Sequence, residues 1–194
     1  VLTRDSAERQ GAWFSSYATT VLQREVRDIS NITGLRDLPR LLQLLAHRTA
    51  ALMNVAELSR TLGIPHTTLN RYLTILESVF LFQPLPAWSG SMSRRLVRSS
   101  KVHLADTGLA SHLNGLTLEK LSGDTLSRGP ALESFVLLDM RKQATWSKTR
   151  PSLHYYRDAS GAEVDLLMED RAGRIVAIEV KAGSSPSGRD LDAI

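Results

Sequence analysis

The sequence predicts a mixed α/β (α+β) protein, with a helical domain over residues 1–116 followed by an α/β domain over residues 117–194. Three observations lead to this prediction. Apolar residues recur at helical spacing through the first 80 residues, and two aliphatic runs near the C-terminus flank a short turn, as in a β-hairpin. A polar segment that contains Gly and Ser, residues 117–128, separates the two patterns and is predicted to be the passage between the domains.

Composition limits the class of protein. With 42% hydrophobic and 23% charged residues, the chain is typical of a globular protein. The absence of cysteine excludes disulfides and thiolate metal sites, and it favours a cytoplasmic location. No apolar run is long enough to cross a bilayer, so no membrane partner is expected. The chain lacks an initiator Met and stops where a new segment would start, so we expect it to be a piece of a larger protein. The net charge of +4 favours a polyanionic partner such as DNA.

Four amphipathic helices are predicted in the first half, over residues 12–29, 38–49, 55–62, and from His66 or Thr67 to about 79. Asn54 can cap the third helix, and Gly63 starts the turn that follows it. Two short helices joined by a Gly-containing turn resemble a helix-turn-helix. The segments 80–85 and 101–104 could then form the strands of a wing.

If this half binds DNA, the exposed residues of the second short helix would face the major groove, and basic residues of the wing would meet phosphates. The candidate groove residues are His66, Thr67, Thr68, Asn70 and Arg71. The candidate phosphate contacts are Arg94, Arg95, Arg98 and Lys101. The alternative is that the same helices form a surface for protein docking.

In the second half, Asp106 is expected to cap a short helix, and Gly129-Pro130 to start a longer one that carries Glu133. A strand is predicted over residues 153–157, followed by the hairpin. Because alternate residues of a strand face opposite sides, one face of the hairpin is predicted to be wholly apolar, formed by the even positions Val164, Leu166, Met168, Val176, Ile178 and Val180. The odd positions form a charged face that contains Glu163, Asp165, Glu179 and Lys181. A turn centred near Arg171 places Asp165 opposite Ala177, one diagonal step from Glu179.

Two carboxylates held this close are costly without a positive charge between them. A divalent cation such as Mg²⁺ would supply it, since such ions take oxygen ligands and retain water that can attack a phosphodiester. Lys181 is close enough in the sequence to orient that water or stabilise developing charge. The alternative is a charged face exposed to solvent, which is common in antiparallel sheets.

Asp165 followed by Glu179-Val180-Lys181 resembles the core motif of the PD-(D/E)XK nuclease superfamily, and Glu133 matches the additional acid that many members carry. More widely, Trp13 to Lys181 resembles the region that follows the ATPase module in a group of uncharacterised prokaryotic AAA-type ATPases. The matching segments include Arg24-Glu25-Val26-Arg27, Lys101 to Leu109, Glu163-Val164-Asp165 and Glu179-Val180-Lys181. Where that family has a second basic residue before the strand leading to Asp106, this chain has Ser99-Ser100.

The resemblance implies a winged-helix domain over residues 1–116 and a nuclease-like domain over residues 117–194. In the leading hypothesis, Asp165, Glu179 and the Val180 carbonyl hold Mg²⁺ or Mn²⁺, Lys181 assists attack on DNA, and Glu133 supports a second ion or a water. No Gly-x-x-x-x-Gly-Lys-Ser/Thr motif is present, so ATP would bind only to an N-terminal ATPase domain of the parent protein.

Two other hypotheses remain. The chain could be a non-catalytic DNA-binding module, or a protein-docking element of the ATPase, possibly oligomeric, with an exposed apolar patch around Trp13, Tyr17 or Trp88.

Overall fold

The computed structural model describes residues 6–29, 36–91 and 98–183, and these contain seven helices and one three-stranded antiparallel sheet. The helices are α1 (Ala7–Ile29), α2 (Asp37–His47), α3 (Val55–Leu62), α4 (His66–Ser78), α5 (Thr107–Leu113), α6 (Leu118–Gly123) and α7 (Thr125–Trp146). The strands are β1 (Ser152–Arg157), β2 (Glu163–Glu169) and β3 (Ile175–Ile178). The predicted mixed α/β class is confirmed.

The described residues form two compact units, each assembled from separate stretches of the chain. The first unit takes residues from 1–48, 54–83 and 104–116, and the second from 49–53, 84–103 and 117–194. The predicted domain limit after residue 116 falls where the first unit ends. The stretches 49–53 and 84–103, which the sequence places in the helical domain, belong to the second unit, because their backbones pair with one another through Lys101 and with β1 through Ala87.

In the first unit, the ends of α3 are fixed by the residues that the sequence indicates. The Asn54 side chain accepts a hydrogen bond from the Glu57 N–H at 3.0 Å. Gly63 ends the helix in the left-handed conformation, with φ +70°, and its N–H donates to the Ser59 carbonyl at 2.9 Å. Helix α4 starts after Pro65 and buries the apolar face formed by Leu69, Tyr72, Leu73, Ile75 and Leu76. The predicted pair of short helices with a Gly turn is confirmed.

The predicted wing is present only as isolated backbone pairs. Phe82 pairs with Leu104 in the first unit, and Leu85 pairs with Lys101 in the second. The segment between them that carries Arg94 and Arg95 lies outside the described residues.

The polar passage predicted between the domains is partly helical. Thr117 caps α6 by accepting from the Lys120 N–H at 3.2 Å. Asp124 caps α7 by accepting from the Leu126 N–H at 3.0 Å. Helix α7 therefore begins at Thr125, more than a turn before the predicted start at Gly129-Pro130. The capping side chains determine where the two helices begin. Pro130 lies inside α7 and does not mark its start, so the predicted start is wrong.

The core of the second unit is a cluster of buried side chains from the sheet, α7 and the segment before Ala87. Its members are Leu85, Ala87, Leu137, Tyr155 and Leu166, with Met168 and Ile178 packed against it. Val164, Leu166, Met168 and Ile178 thus confirm part of the predicted apolar face of the hairpin, whereas Val176 is 59% exposed. In β1, a register shift between His154 and Tyr156 allows the consecutive side chains of His154 and Tyr155 both to be buried.

The predicted hairpin register is wrong by two residues. Ala177 pairs with Leu167, not with Asp165, and Ile178 pairs with Leu166. The reason is the three-residue loop that follows Asp170. The Asp170 N–H donates to the Arg174 carbonyl, the Gly173 N–H donates to the Asp170 carbonyl, both at 3.0 Å, and Gly173 takes φ +77°. If the observed register continues for one more residue on each strand, Asp165 lies opposite Glu179.

His103 is fully buried in the second unit, where its Nδ1 lies 2.6 Å from the Ser134 hydroxyl. Burial, followed by the positive charges of Lys101 and Arg141, lowers the pKa of His103 to about 3. The imidazole is therefore neutral in the folded protein, whereas in the unfolded chain it takes up a proton below about pH 6.5.

We expect the free energy of unfolding to fall as the pH decreases from about 6.5 towards 3, by up to about 1.4 kcal/mol per pH unit from this group. His103→Asn should reduce this slope, which urea unfolding at pH 7, 6 and 5 would measure. His47→Asn, at the exposed end of α2, is the control. Equal slopes for the wild type and His103→Asn would contradict the assignment.

Candidate functional site

Lys101 lies at the centre of the charged residues of the second unit. Its side chain is only 2% exposed. The backbone holds it in place, because the Lys101 N–H donates to the Leu85 carbonyl at 2.9 Å and the Lys101 carbonyl accepts from the Leu85 N–H at 3.0 Å. On its other side Lys101 bridges to Leu52. The expectation that Lys101 meets phosphates from an exposed wing is therefore wrong, because its ammonium group points into the interior of the second unit.

Three carboxylates surround the ammonium group. Lys101 Nζ lies 2.6 Å from Glu163 Oε1, 2.9 Å from Glu133 Oε1 and 3.1 Å from Asp165 Oδ1. It also lies 5.7 Å from the centroid of the Tyr155 ring. An ammonium group has three protons to donate, and each has a carboxylate partner here. The hydrogen-bonding capacity of Lys101 is thus fully used.

The carboxylates come from two elements that are distant in the sequence. Glu133 lies in α7, one turn before the core residue Leu137, and Glu163 and Asp165 lie two residues apart on β2. Because alternate residues of a strand point to the same side, Glu163 and Asp165 both reach the ammonium group. The prediction that these two acids share one face of the hairpin is confirmed.

Three carboxyl groups face the Lys101 ammonium group, and Arg157 Nη1 adds a second positive charge 3.6 Å from Glu163 Oε2, so the cluster retains an excess of one carboxyl group. Burial alone would lower the pKa of Lys101, but Glu133, Glu163 and Asp165 outweigh burial and raise that pKa above its usual range. Burial raises the pKa of Glu133 to about 7, against the opposing charge of Lys101. Glu133 is therefore partly protonated at neutral pH, which relieves the excess of negative charge.

Asp165 also connects the cluster to Glu179 and Lys181. Asp165 Oδ2 accepts from the Val180 N–H at 3.0 Å, and the Asp165 N–H donates to Glu179 Oε2 at 3.4 Å. Lys181 Nζ lies 2.7 Å from Glu179 Oε1. The structure thus brings together Asp165, Glu179, Val180 and Lys181, and Glu133 reaches Asp165 through Lys101.

The oxygen atoms of these residues are of the type that binds a hard cation, but the carboxylate charges already have partners. Carboxylate and carbonyl oxygens are the ligands that Mg²⁺ prefers. However, Asp165 and Glu179 already use each of their oxygens in a contact, to Lys101, to Lys181 or to backbone N–H groups. Among the residues that the structure describes, no group of three or more His, Asp or Glu side chains is arranged to hold a metal ion.

The candidate DNA-binding residues of α4 lie on its exposed face. His66, Thr67, Asn70 and Arg71 are exposed, and Thr68 is half-buried. Arg98, in the second unit, is exposed and donates to the Arg157 carbonyl at 2.8 Å.

Two aromatic residues of the first unit bear on the docking hypothesis. The Trp13 ring stacks on that of Tyr17 at 5.2 Å between centroids, and Tyr17 is 37% exposed. In the second unit, the half-buried Trp88 donates from Nε1 to Glu169 Oε2 at 3.3 Å. An apolar patch around Trp88 is therefore not indicated, whereas the α1 aromatics are partly accessible.

Sequence reasoning did not assign Lys101 and Glu163 to the site. The signal for Lys101 was its place in the segment 101–104, where apolar residues alternate with Lys101 and His103. All four residues of the segment are buried, so both polar side chains need partners inside the unit. Glu163 was placed on the charged face but was given no partner.

Comparison with known proteins gives the family. The chain belongs to the family described as domain of unknown function DUF8612, whose sequence model matches residues 1–120. A second model, domain of unknown function DUF4143, matches residues 128–194. The limit between the two matches is close to the predicted domain limit after residue 116.

The chain is similar to two proteins that are described as uncharacterized: Rv2008c of Mycobacterium tuberculosis (strain H37Rv) and Mb2031c of Mycobacterium bovis. Each is 34% identical to this chain over 189 residues, which is 95% of this chain and 41% of the relative. The chain thus spans about two-fifths of the length of these relatives. No solved structure matches it. Within the described residues, no helix combines the length and apolar character needed to span a membrane.

The geometry of the cluster predicts a large effect for Lys101→Met in metal-free buffer. The methionine keeps most of the stem but leaves the carboxyl groups without their cation, so we expect the free energy of unfolding to fall by about 3–5 kcal/mol. Urea unfolding would measure this loss. Lys148→Met, which changes an exposed lysine, is the matched control. A loss below about 0.5 kcal/mol, the size of an ordinary surface effect, would show that the cluster does not stabilise the unit.

Proposed function

We propose that the chain is an accessory region of an AAA-type ATP-binding protein and that it binds DNA through the exposed face of α4. DUF4143 is a domain often found with AAA ATPases, which supports the first part of the proposal. In this proposal ATP binds to a nucleotide-binding domain of the parent protein, because the present sequence has no phosphate-binding loop.

The observation that carries DNA binding is the division of α4 into two faces. One face is buried through Leu69, Tyr72 and Leu76, which anchors the helix in the first unit. The other face presents Asn70 and Arg71 to solvent. Asn and Arg side chains can form paired hydrogen bonds with base edges in the major groove. The Gly63 turn and the preceding α3 resemble the arrangement that places such a helix in the groove.

The remaining candidate residues supply further contacts. His66, Thr67 and Thr68, at the start of α4, would face the major groove beside Asn70 and Arg71 and add hydrogen-bonding groups there. Arg94, Arg95 and Arg98 would add positive charge for the DNA backbone, in keeping with the net charge of +4. Lys101 has no part in this proposal because its charge is used inside the second unit.

Arg71→Ala tests the proposal most directly. We expect it to weaken binding of a fluorescent DNA duplex by roughly 1–3 kcal/mol, about 5- to 150-fold, and to reduce the dependence of affinity on salt. Fluorescence anisotropy at several salt concentrations would measure both effects. Arg171→Ala removes the same charge from an exposed turn of the second unit and is the control. Equal affinities for the two variants, or no binding by the wild type at low salt, would contradict the proposal.

A second candidate function is metal-dependent cleavage of a phosphodiester bond. The contacts that join Asp165 to Val180 and Glu179 favour it, because they bring the residues of the motif side by side. The residues that would hold Mg²⁺ or Mn²⁺ are Asp165, Glu179 and the Val180 carbonyl. When bound, the ion would supply Lewis acidity and an activated water.

The other residues have roles that follow from their positions. Lys181, 2.7 Å from Glu179, is placed at the edge of the group and is 42% exposed in its side chain, so it can turn towards a phosphate. There its positive charge would stabilise the charge that develops on the phosphate oxygens. Glu133 would hold a water or a second ion only if its contact with Lys101 were released.

Cleavage is tested with supercoiled plasmid in buffers that contain Mg²⁺ or Mn²⁺. If the second candidate function is right, Asp165→Asn and Lys181→Met should each slow nicking by about 100-fold or more, since each removes a charge at the reacting group. Lys148→Met should not. No nicking by the wild type, or equal nicking by all variants, would remove this candidate and leave DNA binding unaffected.

A further inference from the structure

The acidic cluster of the second unit contains its own cation. Glu133, Glu163 and Asp165 direct one oxygen each at a single point, and the ammonium group of Lys101 lies at that point. We propose that Lys101 is the resident cation of this cluster and determines its cation selectivity, because it occupies the position between the three carboxylates and excludes divalent ions from it. The inference concerns the second unit alone and does not rest on DNA binding by α4.

The contacts of Lys101 hold its ammonium group in a fixed position. The side chain is 2% exposed, so the ammonium group has little access to water that could replace a carboxylate. The backbone bonds between Lys101 and Leu85 fix the point from which the side chain starts. The Tyr155 ring at 5.7 Å adds an aromatic surface on which a cation is favoured. The ammonium group is therefore held from several sides.

With Lys101 in place the three carboxylates do not form a metal-binding group, but their oxygens lie only slightly farther from the ammonium nitrogen than metal ligands would. The three oxygens lie 2.6, 2.9 and 3.1 Å from Nζ. Oxygen ligands of Ca²⁺ lie at about 2.3–2.6 Å, so an inward movement of roughly half an ångström would convert the arrangement into ligands for an ion of that size. The present obstacle is Lys101, which fills the space and repels a second cation.

Lys101 also limits which oxygen of Asp165 is available to an ion. Its contact occupies Asp165 Oδ1, so only Oδ2, which accepts from the Val180 N–H, faces the Glu179 side. An ion at Asp165 and Glu179 would have to share Asp165 with the Lys101 ammonium group. Lys101 is thus a positioning and specificity-determining residue that acts through Asp165.

The test uses Lys101→Met, which retains an apolar stem and removes the charge. The probe is Tb³⁺, an oxygen-seeking ion whose luminescence is sensitised by a nearby tyrosine. An ion at the position of Nζ would lie about as far from the Tyr155 ring as the 5.7 Å now measured for Nζ. We expect Lys101→Met to give saturable luminescence at least about tenfold above that of the wild type and of Lys101→Arg, which retains the charge. Lys148→Met should behave like the wild type.

Two further variants locate the ion. Lys101→Met/Tyr155→Phe should still bind, as measured by calorimetry with Ca²⁺, but should lose most of the sensitised emission. Lys101→Met/Glu163→Gln should bind at least about tenfold more weakly, because it lacks one of the ligands. Circular dichroism in EDTA and in Ca²⁺ follows the fold of each protein. If Lys101→Met is unfolded in EDTA, recovery of the fold in Ca²⁺ supports the proposal.

Any of three results would overturn the proposal. The first is that a folded Lys101→Met binds Tb³⁺ no better than the wild type, and the second is that the wild type gives the same sensitised emission as Lys101→Met. The third is that Lys101→Met stays unfolded in saturating Ca²⁺. None of these results bears on the affinity of α4 for DNA, which the Arg71→Ala measurement tests separately.

Discussion

The ion pairs of Lys101 are the interaction on which the second unit depends. One ammonium group joins a segment near residue 101, the first half of α7 through Glu133, and β2 through Glu163 and Asp165. These partners are separated by 32 to 64 residues in the sequence. Burying such charges is costly, and an apolar cluster of the same size can be as stable. The benefit we assign to the ion pairs is specificity, because a misplaced strand or helix would leave a charge buried without a partner.

The same cluster links the architecture of the second unit to its chemistry. In the proposed nuclease-like site, Lys101 contacts the Asp165 carboxylate, and Lys181 contacts Glu179, whose other oxygen accepts from the Asp165 backbone N–H. Both lysines supply positive charge without a bound ion. A unit built in this way can keep the arrangement of a nuclease-like motif while its charge is balanced internally. This is a physical reason why a fold and its motif can persist without the activity.

The fold class and several local features could be predicted from the sequence because they depend on neighbouring residues. Asn54 and Gly63 set the ends of α3, and alternation along β2 places Val164 and Leu166 on the apolar face. The hairpin register could not be predicted, because it depends on how Asp170 and Gly173 close the loop. A shift of two residues preserves the alternation, so the pattern alone does not detect it.

The site was predictable only in part, for a related reason. Asp165, Glu179 and Lys181 follow from short spacings on a hairpin, and the structure brings them together. The role of Lys101 depends on contacts with residues far along the chain, and the alternation in residues 101–104 is the same as that of a strand with one exposed face, although all four residues are buried. The expectation for Lys101 is wrong because this basic residue, although it lies near the predicted wing, is buried.

The irregularity at Tyr155 has a consequence for the edges of the sheet. The Tyr155 N–H donates to the Pro86 carbonyl and the Trp88 N–H donates to the Tyr155 carbonyl, so the segment around Ala87 lies along the outer margin of β1 and uses its hydrogen-bonding groups. Among the described strands, β3 pairs with β2 alone. Within the described residues, the outer edge of β1 is therefore occupied by another segment at Tyr155, whereas β3 has a strand on one side only.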